Sequence, residues 1–563
     1  MQLLFRASTV FAGLLGGQSA DYAPLGLVMS DRQRQPDASA EHKRKNRWRW
    51  IAGIILVTTV ILIVAGAIVV SHAEPILRER VTETLSTRFH SRVELDRFHV
   101  SLLRGLQVSG EGLRLYGETD PNIHQLGIQP LIGVAEFRFR TGIKDLFRSP
   151  MQVDTVYVKG LSLNLPPREQ RAAMKNIGPS GKIKVVVDKF VCDGAELVIN
   201  TLRPGKLPLE FDIETLKMTR IGTNDPLQFD ANLINPKPVG NIISRGLFGP
   251  WQADSPRDTP VRGTYSFTHA DLGTIKGIGG ILSSTGQYSG ILDNIGVDGT
   301  TDTPDFRIAS SGRPVPLHTE FHAIVDATNG DTYLRPVKAK ILDSSLVATG
   351  SVVRIKEPQG HRVDLDVTIA KGKIEDLLKL AVRTEPQIMT GAVQLKTKFD
   401  LLPGTPAVCD RLKLAGRFRV SQAHFTNDKI QSKIDVLSMR SRGKAKLARE
   451  NIVDNVASDL SGVFELDNGI LQFSRLQFEI PGTQVNLTGK YSLDGSQFDF
   501  HGKARLDARL SQMTTGWKSI LLKPADPFFS KNGAGTELPV KVTGTESEPH
   551  FGSDFHHKDH QEN

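Results

Sequence analysis

Beyond residue 90 the apolar side chains recur at every second position. Val363, Leu365, Val367 and Ile369 alternate with Asp364, Asp366 and Thr368, and Leu207, Leu209, Phe211 and Ile213 alternate with Pro208, Glu210, Asp212 and Glu214. Val393, Leu395, Phe399 and Leu401 keep the same period. A period of two belongs to strands with one apolar and one wet face, so a mainly β chain is expected. Phase slips at Val158-Lys159-Gly160-Leu161 and Phe473-Ser474-Arg475-Leu476 fit β-bulges that bend the sheet. A looser unit, Gly-x-apolar-x-apolar, starts at Gly263, Gly391, Gly416, Gly462 and Gly489, and reads as glycine relieving the turn that opens each successive strand. Helical periodicity is confined to residues 74–89, with Leu77, Val81, Leu85 and Phe89 on one stripe, and to 374–382 and 510–522. These helices are expected to close or plug the sheet.

A different pattern covers residues 50–70, which carry no charge and are apolar on every side of a helix: Trp50, Ile54, Leu56, Val60, Leu62, Val64 and Val70 are spread around it. At about 1.5 Å per residue, such a run crosses a hydrocarbon core of roughly 30 Å. Lys43, Arg44, Lys45, Arg47 and Arg49 precede it, with Trp48 and Trp50 at interfacial depth. The positive-inside rule then places the amino-terminal tail in the cytoplasm and the bulk of the chain across the membrane. Two features leave the beginning open. A weakly apolar run over 1–20, interrupted by Arg6, competes as a signal peptide whose cleavage would reverse that topology, and Met29 competes with Met1 as the first residue.

The formal charge of +9 raises nucleic acid as a partner, but the basic residues are spread through strand-like segments without a patch interleaved with aromatics, so none is expected. Cys192 and Cys409 are isolated in sequence and read as two separately buried thiols, with a disulfide between them left open. The chain has no Gly-x-Ser-x-Gly elbow, Walker A loop, His-Glu-x-x-His or Cys-x-x-Cys, so no catalytic residue, metal or cofactor is assigned and an enzyme is not expected. His556, His557, Asp559 and His560 fall in a polar tail without groups to orient metal ligands. Asp364 and Asp366, a carboxylate pair on paper, belong to the wet face of one strand. The segments read as a cytoplasmic polar tail (1–49), a transmembrane helix (50–72), three β regions (73–235, 236–345 and 346–552) and a polar tail (553–563).

Particular stretches carry a family likeness. The first is the 50–70 run followed by Pro75-Ile-Leu-Arg-Glu-Arg and Arg92-Val-Glu-Leu-Asp-Arg-Phe-His. The second starts at Gly277-Ile-Gly-Gly-Ile-Leu-Ser-Ser-Thr-Gly and reaches Asp302-Thr-Pro-Asp-Phe306; the third is Gly535-Thr-Glu-Leu-Pro-Val-Lys-Val-Thr-Gly544 with Pro549 after it. Together they resemble the AsmA-like envelope proteins, the group that includes TamB and YhdP. The resemblance implies a bacterial inner-membrane protein with one N-terminal transmembrane helix. An elongated, curved antiparallel β-sheet groove with a few short helices then lies in the periplasm. It implies a phospholipid or other acyl lipid as cargo, the inner membrane and outer-membrane components as partners, and no cofactor. The groove candidates are Leu207, Leu209, Phe211, Ile213, Val363, Leu365, Val367, Ile369, Val393, Leu395 and Phe399. Strand patterning alone is equally met by a closed sandwich. A second function, assembly of outer-membrane proteins by β-strand pairing at a sheet edge, is the alternative.

Overall fold

The computed structural model describes residues 56–61, positions 75, 78, 79, 82, 83 and 86, and residues 92–552 except 102–105, 117–129, 143–144, 146–149, 166–184, 201–208, 223–224, 253–254, 310–311, 356, 359, 384, 450–453, 494–496, 516, 530–534 and 546–548. The chain is mainly β with few helices. It divides into two compact units, Met1–Pro236 with Ile243–Trp251, and Lys237–Ile242 with Gln252–Asn563.

The first unit holds β1 (Arg92–Glu94), β2 (Arg97–Ser101), β3 (Leu106–Tyr116), β4 (Ile132–Thr141), β5 (Met151–Leu165), β6 (Val185–Ile199), β7 (Leu209–Ile221) and β8 (Leu227–Pro236). β1 and β2 both pair with β3, and β3 to β8 pair in chain order. The expected antiparallel order fails once: β5 and β6 run parallel, Val156 opposite Phe190 and Leu163 opposite Leu197. Parallel neighbours need a crossover of a dozen or more residues, and residues 166–184 supply that length. Alternation within a strand carries no information about the direction of its neighbour.

Many inward side chains of this unit are fully packed. Leu113, Phe137, Val153, Val156, Phe190 and Leu216 are 0–2% exposed, the burial of a closed core. The phase slip at Val158–Leu161 is resolved here without a bulge. Gly112 (φ 67°), Gly160 (φ 61°) and Gly194 (φ 68°) are left-handed, and the register places Gly112, Ala135, Gly160 and Gly194 in one line across four strands. On each side of that line Val158 and Leu161, or Cys192 and Ala195, point inward and are buried. Because neighbouring strands slip together, pairing stays in register and the sheet folds along a crease. Cys192 lies in this core, where burial pushes its thiol up to about 12. Cys409 is exposed, contrary to the expectation of two buried thiols, since it sits in the one-turn helix Val408–Arg411 between strands, which buries no residue. Thiolate is the reactive form. Maleimide at neutral pH is therefore expected to label Cys409 alone until denaturant is added; labelling of both in the folded chain would contradict this.

β9 (Val239–Phe248) contributes residues to both units. The second unit continues with β10 (Pro260–Asp271), β11 (Ile278–Gly279), β12 (Ile281–Ile291), β13 (Asn294–Ile308), β14 (Val315–Val325), β15 (Thr332–Ile341), β16 (Ser344–Ile355) and β17 (Gly360–Lys373). Then come β18 (Met389–Leu401), β19 (Leu412–Phe425), β20 (Ser458–Asp467), β21 (Ile470–Ile480), β22 (Thr483–Ser492), β23 (Phe498–Leu506), β24 (Thr536–Gly544) and β25 (Pro549–Gly552). Apart from the two-residue β11, which pairs with β13, each strand from β10 onward pairs antiparallel with the next. No pairing joins β10 to β25 among the described residues, so the sheet is open. The phase slip at Phe473–Leu476 is the expected bulge: Phe473 faces Gly489 and Leu476 faces Leu487, leaving two residues opposite Thr488.

The longer helices of this unit leave from one rim. Ile374–Ala381 joins β17 to β18, as the periodicity predicts. The predicted helix over 510–522 is broken instead, into Leu510–Met513 and Trp517–Leu522, with Thr514 extended. Thr514, Thr515 and Gly516 are poor helix formers, and Ser511 is held by the Asp526 carboxylate through its N–H (2.8 Å) and Oγ (2.6 Å).

The helix Asp428–Ser441 between β19 and β20 has no counterpart in the apolar pattern because much of its buried face is polar: Gln431, Asp435, Ser438 and Ser441. Its start is capped by Asn427, whose side chain accepts from Lys429 N and Ile430 N. Asp435, 1% exposed, accepts from Val456 N (3.0 Å), Asn455 N (3.1 Å) and Gln431 Nε2 (3.0 Å). Ser438 Oγ donates to Pro481 O, 2.7 Å away. Asp435→Ala would leave those buried donors unpaired and is expected to cost about 3 kcal/mol in a urea titration; a change within error would contradict the network's role.

Candidate functional site

Alternation places the apolar residues of β10 and β12–β24 on one face of the second unit. Between neighbours on that face, aromatic rings meet glycines. Tyr265 is opposite Gly286, Gly299 opposite Phe321, Phe418 opposite Gly462, Gly416 opposite Phe464, and Gly489 opposite both Phe473 and Phe500. The rings lie where a side chain would otherwise stand. A Cβ on Gly286 would come within 2.8 Å of the Tyr265 ring, one on Gly462 within 2.6 Å of Phe418, and one on Gly489 within 2.7 Å of Phe500. The Gly-x-apolar-x-apolar unit thus has a different cause from turn formation. Its glycines sit inside β10, β18, β19, β20 and β22, and at Gly416, Gly462 and Gly489 an aromatic ring lies across from them. Centroid separations of 6.3 Å for Phe418–Phe464, 6.4 Å for Phe418–Phe473 and 5.9 Å for Phe473–Phe500 link these rings into a file.

This face is closed along one rim and open beyond it. At the helical rim Ile369, Val393, Val420 and Ala423 are 0–3% exposed, with Ile374 and Leu377 of the helix packed against them. Ile434, Val456 and Ile480 form the next cluster under the helix Asp428–Ser441. Away from that rim the same face is half-buried: Val363, Leu365, Val367, Leu395, Phe399, Phe418, Phe464, Phe473 and Phe500 are shielded by lateral neighbours while their outward surface remains accessible. The opposite rim is made chiefly of turns, such as Asn468-Gly469 between β20 and β21, both at positive φ.

The sequence candidates therefore divide. Val363, Leu365, Val367, Ile369, Val393, Leu395 and Phe399 come together on adjacent strands, with Leu365 opposite Phe399 and Ile369 opposite Leu395. Ile213 belongs to the first unit's closed core at 3% exposure, with Phe211 half-buried beside it; Leu209 opens β7, and Leu207 lies outside the described residues. Of the anchor candidates, Leu56 and Val60 are helical and exposed, at 67% and 50%. Trp50, Ile54, Leu62, Val64, Val70 and the basic residues Lys43, Arg44, Lys45, Arg47 and Arg49 lie outside the described residues. No helix among the described residues is long and apolar enough to cross a membrane.

The reverse face is polar. Arg362 pairs with Asp400 at 2.8 Å, Lys413 with Asp467 at 3.1 Å, and His322 with Asp298 at 2.8 Å. Asp364 lies 3.4 Å from Arg362, an ordinary partner for a wet carboxylate. An open depression of about 630 Å³ on this side is lined by groups including Thr264, Asp298, Glu320, His322 and Lys338. Among the described residues no group of three or more His, Cys, Asp or Glu side chains is placed to hold a metal; His556, His557, Asp559 and His560 are outside that set. No family model, curated protein or solved structure matches the chain.

Proposed function

We propose that the chain is an AsmA-like protein, anchored in the bacterial inner membrane with its bulk in the periplasm, which shields and transfers phospholipids and so contributes to outer-membrane lipid homeostasis. The observation that carries this reading is the file of half-buried apolar and aromatic side chains on one face of β10–β24, lined by the longer helices along one rim. Soluble surfaces rarely expose so extended an apolar area without an occupant. Measured across the strands at about 4.8 Å each, the face runs on the order of 60 Å. Each acyl methylene removed from water there gains roughly 0.8 kcal/mol, while the head group stays in solvent. The uncharged 50–70 run, preceded by its basic cluster, supports the anchor. The reading needs no catalytic group.

The test is uptake of fluorescent phospholipid from vesicles by full-length chain purified in detergent and stripped of lipid. Fluorescence is expected to follow the protein through gel filtration. A protein that stays dark at saturating vesicle concentration would remove the basis of the reading.

A further inference from the structure

The apolar face changes chemistry along its length. From β15 to β24 most hydroxyls of this face, such as Ser344, Thr397, Ser458, Thr483 and Thr536, are buried within the protein and its half-buried side chains are mostly hydrocarbon, whereas over β10–β14 hydroxyl groups form a continuous row that includes the half-buried Thr301 and Thr319. Ser284 of β12 stands opposite Thr301 of β13, and Thr301 opposite Thr319 of β14. Tyr265 of β10 reaches the same row, its hydroxyl 3.1 Å from Ser284 Oγ.

Their protons can be assigned one by one. Ser284 Oγ donates to Thr300 O at 2.9 Å, so Tyr265 gives its proton to Ser284. Burial pushes the Tyr265 phenol above its ordinary value, which keeps it a donor. Thr301 Oγ1 and Thr319 Oγ1 are 2.6 Å apart. One donates to the other, and the second proton of that pair has no partner among the described residues. Thr301 and Thr319 are half-buried, so one O–H donor is left over where an occupant of the face can reach it.

Hydrocarbon laid over that donor would leave it unpaired and cut off from water, so an acyl chain is disfavoured over β12–β14 and free to lie over β15–β24. An oxygen acceptor placed at the row reverses the sign. We propose that this hydroxyl row is the subsite for the oxygen-bearing backbone of a bound acyl lipid, which fixes the lipid's direction along the face. The proposal rests on the lipid reading above and adds polarity to it.

The experiment uses full-length chain with two phospholipid probes, one carrying a diazirine at the acyl terminus and one at the glycerol-proximal carbons, with crosslinked peptides mapped by mass spectrometry. The acyl-terminal probe is expected in peptides from β15–β24 and the glycerol-proximal probe in peptides from β10–β14, enriched at least 5-fold over the other region. Thr301→Val with Thr319→Val removes both partners of one hydroxyl pair at little cost to folding, and is expected to abolish that enrichment while leaving the acyl-terminal crosslinks in place. Repeating the mapping with a diether phospholipid separates the acceptors: lost enrichment assigns ester carbonyls and retained enrichment assigns phosphate, and both support the subsite. Glycerol-proximal crosslinks spread evenly along the face, or unmoved by the double variant, would overturn it with the lipid reading intact. Absence of crosslinks from both probes would overturn the lipid reading itself.

Discussion

Val156→Asp is expected to unfold the first unit, while Leu365→Asp leaves the second unit folded and strips it of lipid. Val156 is 0% exposed within a packed interior, and an unpaired carboxylate there costs on the order of 3–5 kcal/mol or more, a large part of a domain's stability. Leu365 has the same chemistry and the same alternation, but it is half-buried on the open face, opposite Gly350 and Phe399. A carboxylate at that position keeps contact with water in the empty groove, so the expected loss in a urea titration is only about 1 kcal/mol. Once an acyl chain lies across it, the charge must be desolvated, and phospholipid retention is expected to drop at least 10-fold. Circular dichroism melts and lipid uptake on the two variants check this together. Equal destabilisation of both units would mean that the second face is covered like the first, the closed-sandwich alternative.

Gly462→Val is expected to cost about 2–4 kcal/mol, as overpacking of a filled position does. Its new Cβ would lie 2.6 and 3.1 Å from two carbons of the Phe418 ring and 3.1 Å from the Arg475 carbonyl oxygen. The ring is hemmed in by Phe464 and Phe473, so it has little room to withdraw. Phe418→Ala in the same chain vacates the space, and the double variant is expected to recover part of the loss rather than add to it. Denaturant midpoints of the two single variants and the double give the coupling; strict additivity would contradict the ring-over-glycine account.

Much of this architecture is legible in the pattern of residues. The period of two at Val363–Ile369 places those side chains on one face, and the slip at Phe473–Leu476 marks a real bulge. What the pattern conceals has identifiable causes. The helix Asp428–Ser441 buries Gln431, Asp435 and Ser438, so no apolar stripe announces it. The crease through Gly112, Gly160 and Gly194 depends on neighbouring strands slipping together, which no single strand records. The role of Gly462 is set by Phe418 on the adjacent strand, a partner that spacing along the chain does not identify. Ile213 and Leu365 look alike in sequence, yet one sits in a closed core and the other on an open face. Alternation reports which face a side chain takes and is silent about what covers it.

The central claim is that the apolar face of the second unit holds lipid. Native mass spectrometry of the full-length chain, released gently from detergent after purification from the membrane, tests it most directly. The account predicts peaks displaced from the bare chain by the masses of diacyl phospholipids, lost in the Leu365→Asp variant. A bare chain alone, with Leu365→Asp indistinguishable from it, would contradict the account.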